Sequence, residues 1–570
     1  MPTRWMVRAE GVNFTTTLAD TEDLSITRGA SLALLQIGTY VEEVLRSCAG
    51  TAKVEKVFSG ASQCLYQVEL PTPESDFPIR LKAQAAALLA DQRANRKRKP
   101  EISPPFTHLC LLVDAAPLND DSKKGREMAS IHAEALNRGA QLRNWSLPPI
   151  GRKAPTNRLD PFDRLRPALA EVTLPAGKIG DAGPLVPVRT SEDKNSETVS
   201  AAPSSIERRA FGREQRRAFY VEELKDSSED RGDNFTLPEG LTFTDSLQAI
   251  ASAPFPVSGS GEGIPLSAQD KVAVIYCDGN AFGSALEKAG PKAFSRKLKA
   301  YRREFLAAVL NWYAKGHASP CRDAFSIRTD REIQLRLETL LWGGDEFIFV
   351  VPSWLASEFV RGFFEISKDW EIEGQRLTHA LGIVIAGVKT PIRLMRARAE
   401  EIANLAKDAG LRTQNTATFE VFESLAPPDL SIRNTREGLF GISGEDEQKS
   451  LSRSLAYPGS CFSEAVDMMT TLKDGARDRD PFPRTQLYAA LQAALETGGL
   501  TSTEANERAA AELRTYIDRM GESKGLTLDQ LAPPSASSET GLAVNLARLV
   551  TLWDFVGFDF GSRLTFGKEA

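Results

Sequence analysis

Two glycines and two acids, Gly343-Gly344-Asp345-Glu346, interrupt an otherwise apolar run over residues 340–352. Apolar residues on both sides fit strands covered on both faces, and a Gly-Gly pair supplies the positive φ of a tight turn. The stretch therefore reads as a buried β-hairpin with acids at its tip. Adjacent carboxylates at the edge of a low-dielectric sheet repel each other and are costly to desolvate, so a divalent cation is the simplest partner that would keep them together. A solvated acidic turn is the competing reading. A third acid, Asp278, ends another apolar run, residues 271–277, and is followed by Gly279, Asn280, Ala281, Phe282 and Gly283. An acid at the C-terminal end of a buried strand faces a site. The glycines after it let backbone amides approach phosphate oxygens where the next helix begins. Lys407, near the end of a later helix, is available to pair with phosphate, although taken alone it reads as a surface lysine.

The elements that must carry these residues follow from periodicity. After the strand at 271–277 a helix runs through Leu298, Phe305, Leu306 and Leu310 to the hairpin strand. A helix over 353–370 has Leu355, Phe359 and Phe363 at spacing four, and a strand follows over 377–386. A second helix, over 392–409, buries Met395, Ala399, Ile402 and Ala406, and a strand over 418–422 closes the unit. The order is βαββαβ with an added helix, the ferredoxin-like or polymerase palm topology. In it the first strand and the central hairpin are neighbours, which brings Asp278 to Asp345 and Glu346. Three converging carboxylates suit two Mg²⁺ or Mn²⁺ ions, one activating a 3′-hydroxyl and the other neutralising triphosphate oxygens as pyrophosphate is displaced. The backbone carbonyl of Gly279 adds an oxygen ligand.

The same order recurs at the N-terminus: a strand from Trp5, a helix with Leu34, Ile37, Val41, Val44 and Leu45 on one face, strands at 54–59 and 65–70, a helix through 83–89 and a strand at 107–113. Its hairpin tip reads Gly60-Ala61-Ser62. Without carboxylates there, the unit reads as a non-catalytic palm. Residues 93–99 form a basic cluster, either a solvated helix end or a nucleic-acid or partner contact. Periodicity fades from about 152 to 233. Within that stretch Arg208, Arg209, Arg213, Arg216 and Arg217 alternate with Phe211, Phe219 and Tyr220 on a helix, a pattern that suits RNA or nucleotide phosphate but equally a packed helix. The α+β chain thus divides into a non-catalytic palm-like domain (1–150), a linker or irregular helical insertion (151–265), a catalytic palm (266–425) and a helical C-terminal domain (426–570) that reads as a cap or docking element.

Composition excludes several classes. Hydrophobic content of 42%, charged content of 26% and a net charge of −6 over 570 residues describe a globular protein of several domains, not a non-specific nucleic-acid coat. No span of about twenty apolar residues and no signal-peptide core is present, so no membrane is expected and a cytoplasmic location is. The six cysteines are scattered without a C-x-x-C pair, and none of the four histidines precedes an Asp. All of these read as structural.

At these residues the sequence resembles a known family, the palm-containing large subunit of type III CRISPR effector complexes. The matching stretches are residues 273–283, Gly343-Gly344-Asp345-Glu346, residues 381–386 and Ala403-Asn404-Leu405-Ala406-Lys407; residues 23–31 and 59–62 resemble that family's non-catalytic palm. The resemblance covers the two palms, about half the chain. It implies a nucleotidyl cyclase that converts ATP to cyclic oligoadenylate, a second messenger in antiviral defence read by a downstream cyclic-nucleotide-sensing effector. Asp278, Asp345 and Glu346 inherit the catalytic and metal role, Gly279, Asn280, Phe282, Gly283, Gly343 and Gly344 the nucleotide cradle, and Lys407 the phosphate contact. Guide or target RNA and other effector subunits are the implied partners.

Three departures stand out. The family usually has Asp-Asp after its two glycines, Asn280 stands where a second acid is common, and neither an N-terminal His-Asp nuclease domain nor a cysteine-rich zinc insertion is visible. Gly-Gly-Asp-Glu-Phe is also the signature of diguanylate cyclases, which make cyclic di-GMP. Those resemble one another in an Asp-x-Asp-x-Phe-Lys stretch and often an Arg-x-x-Asp motif, whereas here Gln334 and Leu337 occupy the latter's positions. The third alternative, a palm scaffold that binds nucleotide or RNA without turnover, fits less well with three acids in one unit and none in the other.

Overall fold

Strand β1 (Arg4–Val12) lies antiparallel between β3 (Gln63–Glu69) and β4 (Cys110–Pro117), and β2 (Lys53–Ser59) pairs with the far side of β3. The order β2-β3-β1-β4 is that of a βαββαβ chain, because a central hairpin docks beside the first strand and leaves the last strand the opposite edge. This computed structural model describes residues 3–558 apart from 13–17, 19, 50–52, 61, 97–109, 144–158, 165, 169, 176–188, 191–195, 226–239, 253–263, 281, 329–331, 424–430, 441–444, 475–481, 498 and 521–540. Compactness separates two units: residues 1–236 with 286–300 and 340–344, and the remainder. The fold is mixed α+β with several sheets.

In the first unit, helices α1 (Leu24–Leu35) and α2 (Ile37–Ala49) join β1 to β2, α3 (Phe77–Arg96) joins β3 to β4, and α4 (Lys123–Arg143) follows β4. α2 buries Ile37, Tyr40, Val41, Val44 and Leu45, the face its three-four spacing requires. The last strand begins at Cys110, and residues 107–109 lie outside the described part, as do the tip residue Ala61 and the side chains of the basic cluster at 93–99. The stretch read as a linker carries a small antiparallel sheet, β5 (Ala170–Pro175) against β6 (Ser196–Ala201) with Arg189–Thr190 on its far edge, and then the 22-residue α5 (Pro203–Leu224).

Of the two readings of the arginine-rich helix, the packed one holds, with several of its guanidinium groups buried as well as its aromatics. Arg208 makes a bidentate pair with Asp20 at 2.9 and 3.1 Å, and Arg209 bonds Asp23 at 3.0 Å while Asp23 also caps α1 through Ile26 N–H. Arg208, Arg209, Arg216, Phe211 and Tyr220 are all buried. Helices α1 and α5 meet backbone to backbone: a Cβ on Gly29 would stand 1.8 Å from the Arg208 carbonyl oxygen, and one on Gly212 2.1 Å from that of Ser25. Two small residues at one crossing permit this. The alternating pattern of cations and aromatics was visible in sequence; the acids that neutralise it, nearly two hundred residues away, were not.

Further along the chain β7 (Lys271–Asn280) is followed by α6 (Phe282–Ala289) and α7 (Pro291–Ala318), then by β8 (Glu338–Gly343) and β9 (Glu346–Pro352). One continuous helix was expected; Gly290, at φ +75, and Pro291 break it in two. A 3₁₀ turn (Ser353–Leu355) precedes α8 (Ala356–Ser367), after which come β10 (Thr378–Gly387), α9 (Ile392–Ala409) and β11 (Thr416–Phe422). With β12 (Tyr457–Pro458) the strand order is β8-β9-β7-β10-β11-β12. Its first four strands repeat the order of the N-terminal sheet. β7 is buried through residues 271–277 and β9 through 347–352, as strands covered on both faces must be. The α9 backbone lies directly on β10, where a Cβ on Gly382 would be 2.0 Å from the Ala399 carbonyl oxygen.

Beyond residue 431 the described chain is mainly helical, in Ile432–Phe440, Glu445–Leu455, Gly459–Asp474, Arg484–Leu495, Thr503–Met520 and Leu542–Leu552. Leu546, Leu549 and Trp553 are buried there. β12 ties this region to the sheet through Thr416 opposite Pro458 and Ala417 opposite Tyr457. No described helix is long and apolar enough to cross a membrane. The described cysteines, Cys48, Cys64, Cys277, Cys321 and Cys461, are free thiols.

Candidate active site

Register places the acids. Phe347 of β9 lies opposite Cys277 of β7, so Glu346 comes level with Asp278, and the turn residue Asp345 overhangs Gly279. Gly344 alone takes a positive φ, +59, and Asp345 does not. That is the pattern of a type II′ turn, with glycine at its first central position, so one glycine of the expected pair carries the turn. A Cβ on Gly279 would stand 2.8 Å from Asp345 Cβ and 2.7 Å from Phe282 Cε1. Glycine at 279 is what lets the acidic turn close over the strand.

On the other side of β7, β10 aligns His379 with Gly279, Ala380 with Asp278 and Gly382 with Tyr276. Because α9 rests on Gly382, its last turn carries Lys407 to Asp278, where the two form an ion pair. Tyr276, two residues before Asp278 and so on the same face of the strand, donates its hydroxyl to Glu346 Oε1 at 3.1 Å.

The electrostatics are those of crowded anions. Burial first, and then the charge of Asp278, push the Asp345 carboxyl above its usual range, against the opposing effect of its own backbone hydrogen bond, Lys407 and Arg302. Burial likewise raises Glu346, with Asp278, Asp345 and Glu400 adding to it and the Tyr276 hydroxyl opposing, to about 7. The Tyr276 phenol is pushed up by burial and by Glu346 and Asp278. His379, fully enclosed, is held neutral at about 3, mainly by burial. Its ring meets those of Phe282, Phe363 and Trp370 at 5.1 to 5.3 Å between centroids.

Of the expected residues, Asp278, Asp345, Glu346, Gly279 and Lys407 come together. Among the described residues no three His, Cys, Asp or Glu side chains stand as a ready-made metal-holding group. Like charges repel, and each acid takes its nearest donor, Lys407 for Asp278 and Tyr276 for Glu346. In kind the donors fit a hard divalent cation: carboxylates whose mutual repulsion a cation relieves, with backbone oxygen alongside. The cradle residues are more dispersed. Asn280 is buried and gives its amide to Thr378 Oγ1 and the Gln414 carbonyl, both at 3.2 Å. Phe282 packs on His379, and Gly283 faces open space. Sequence reasoning passed over Tyr276, Arg396 and Glu400. Period two from Asp278 marks Tyr276, and Arg396 precedes Lys407 by eleven residues, about three turns at ~3.6 residues each, on the same helix face.

Fold and site together define an α+β protein in which two sheets share a four-strand order, the second carrying three acids at the ends of its central strands and a helix-borne lysine paired to one of them. Solved structures to which the chain is similar are those of Csm1, the large subunit of type III-A CRISPR-Csm complexes. They include Csm1 of T. onnurineus (14% identity, TM-score 0.49, 97% of this chain and 70% of that one). A Csm1-Csm4 cassette in complex with cA4 matches at 15% identity and TM-score 0.49, over 97% of this chain and 70% of that one. The cassette in complex with one ATP matches at 15% and 0.48, over 96% and 70%. No protein-family model and no curated protein matches the chain.

Proposed function

We propose that the protein is a metal-dependent nucleotidyl cyclase that joins ATP through 3′-hydroxyl attack on an α-phosphate, releases pyrophosphate and closes the chain to a cyclic oligoadenylate. The observation that carries this is the clustering of Asp278, Asp345 and Glu346 at the ends of adjacent strands, with Lys407 of α9 paired to Asp278, in a sheet whose first four strands have a palm-like order. Asp278, Asp345 and Glu346, with the carbonyl of Gly279, would hold Mg²⁺ or Mn²⁺, which bound there acidifies a hydroxyl and offsets phosphate charge. Lys407 pairs with phosphate, and its ion pair with Asp278 keeps the ammonium aimed at the site until nucleotide arrives. Gly279 lets the acidic turn close over the strand, Gly344 faces open space in which backbone amides would meet phosphate oxygens, and Phe282 walls the site against His379. ATP and cA4, the nucleotides named for Csm1 structures, are the substrate and product class this reading assigns. A place in a CRISPR-type effector with other subunits and guide or target RNA belongs to the same proposal.

The test is incubation of the full chain with labelled ATP or GTP and Mg²⁺ or Mn²⁺. Cyclic oligoadenylate formation by wild type, lost in Asp278→Ala and Asp345→Ala with unchanged circular dichroism, is expected. Cyclic di-GMP as the sole product, or full activity in both variants, would overturn the assignment.

A further inference from the structure

We propose that Arg396 binds a phosphate group of the nucleotide on the Tyr276–Glu346 side of the site, a second cation to Lys407. The inference rests on the nucleotidyl-transfer reading above and extends it to a residue outside the motifs. Arg396 is 6% exposed, and its Nη1 has no hydrogen-bond partner. No described carboxylate pairs with it. Two other buried arginines are fully supplied by contrast: Arg208 has both Asp20 oxygens, and Arg336 has the carbonyls of Asp323, Ala249 and Ile250 together with Ser252 Oγ. A buried guanidinium without a counter-ion is unfavourable, so a position that keeps one calls for an anion.

Its placement says where that anion lies. α9 sits on Gly382 through Ala399, and Gly382 is paired with Tyr276, whose hydroxyl reaches Glu346. Arg396 is one helical turn before Ala399. Glu400, Tyr276 and Glu346 all favour its charged form while burial opposes it, which agrees with that position. Lys407 is about 16 Å further along the helix, eleven residues at ~1.5 Å each. The two cations therefore address separate phosphate groups of an extended ligand. A planar fork of N–H donors suits phosphate oxygens, and the acids around it leave a phosphate bound together with divalent cations as the fitting anion.

Calorimetric binding of ATP, inorganic triphosphate, linear diadenylate and adenosine, with Mg²⁺ present, tests this on full-length wild type, Arg396→Met and Arg396→Lys. The Met variant is expected to weaken a phosphorylated ligand about ten- to a hundredfold, with adenosine unaffected and part of the loss recovered in the Lys variant. Its thermal midpoint should fall little, because Nη1 has no internal partner to lose. Weakening confined to ATP and triphosphate places Arg396 at the triphosphate; weakening confined to diadenylate places it at the internucleotide linkage. Unchanged affinities with a lowered midpoint would overturn the proposal and make Arg396 an internal counter-ion of Glu346 or Glu400. Wild type that binds neither ATP nor triphosphate would overturn the nucleotidyl-transfer reading itself.

Discussion

Replacing Glu346 by Gln should make the metal-free protein more stable at neutral and alkaline pH, although it removes a charged residue from the candidate site. The folded carboxyl titrates at about 7 against an ordinary 4.5. Below about pH 4.5 both folded and unfolded states are protonated and the residue contributes nothing. Between about 4.5 and 7 the unfolded chain releases its proton while the folded one keeps it, so stability falls with rising pH. Above about 7 the loss levels off. A difference of roughly 2.5 units at ~1.36 kcal/mol each gives about 3 kcal/mol. Asp345 is shifted in the same direction and steepens the wild-type curve. Denaturant unfolding of both proteins in chelator, from about pH 4.5 to 8, should show curves that meet at the acid end and separate by up to about 3 kcal/mol at the other. Added Mg²⁺ should raise wild-type stability most above pH 7, where carboxylates rather than carboxyls are available to it, and should do less for Glu346→Gln. A gap between the two proteins that does not change with pH would refute the reasoning, since a carboxyl raised by burial and by neighbouring anions makes the gap depend on its ionisation.

Two further substitutions separate site geometry from fold. Gly279→Ala puts a methyl group 2.7 to 2.8 Å from Phe282 and Asp345, so the acidic turn must shift by several tenths of an ångström; nucleotidyl transfer should drop on the order of a hundredfold with little change in unfolding midpoint, and wild-type kinetics would show that the turn does not need its present seat. Gly212→Ala places a methyl group 2.1 Å from the Ser25 carbonyl oxygen and should destabilise the first unit by roughly 1–3 kcal/mol, read by thermal melting.

Much of the fold was legible because it is written in local patterns. Apolar runs and three-four spacings located β7, β9, β10, α8 and α9, and a hairpin between two helical crossovers left one sensible strand order. Asp278, Asp345 and Glu346 were readable together because that order makes their strands neighbours. What sequence did not reveal depends on partners distant along the chain. The arginines of α5 read as surface cations until Asp20 and Asp23 were seen beneath them. Tyr276 looked like one more apolar strand residue, and its bond to Glu346 appears only once the β7–β9 register is known. The extended-helix reading across Gly290-Pro291 failed for the opposite reason: the local stop signal was there, and the apolar spacing beyond it was allowed to outweigh it.

The crossing of α1 and α5 also sets an order of events in synthesis. Asp20 and Arg208 are 188 positions apart, and Asp23 and Arg209 are 186 apart. A nascent chain that has emerged through β4 already contains every strand of the first sheet, yet Asp20, the cap Asp23 and the glycine-notched backbone of α1 still face water. Only when α5 leaves the ribosome can that surface be closed, and loop closure over such a separation is slow compared with pairing of neighbouring strands. The N-terminal sheet is thus ready early and its cover arrives late, so truncations that end before residue 203 should leave it folded but adhesive, a liability set by reading direction and not by composition.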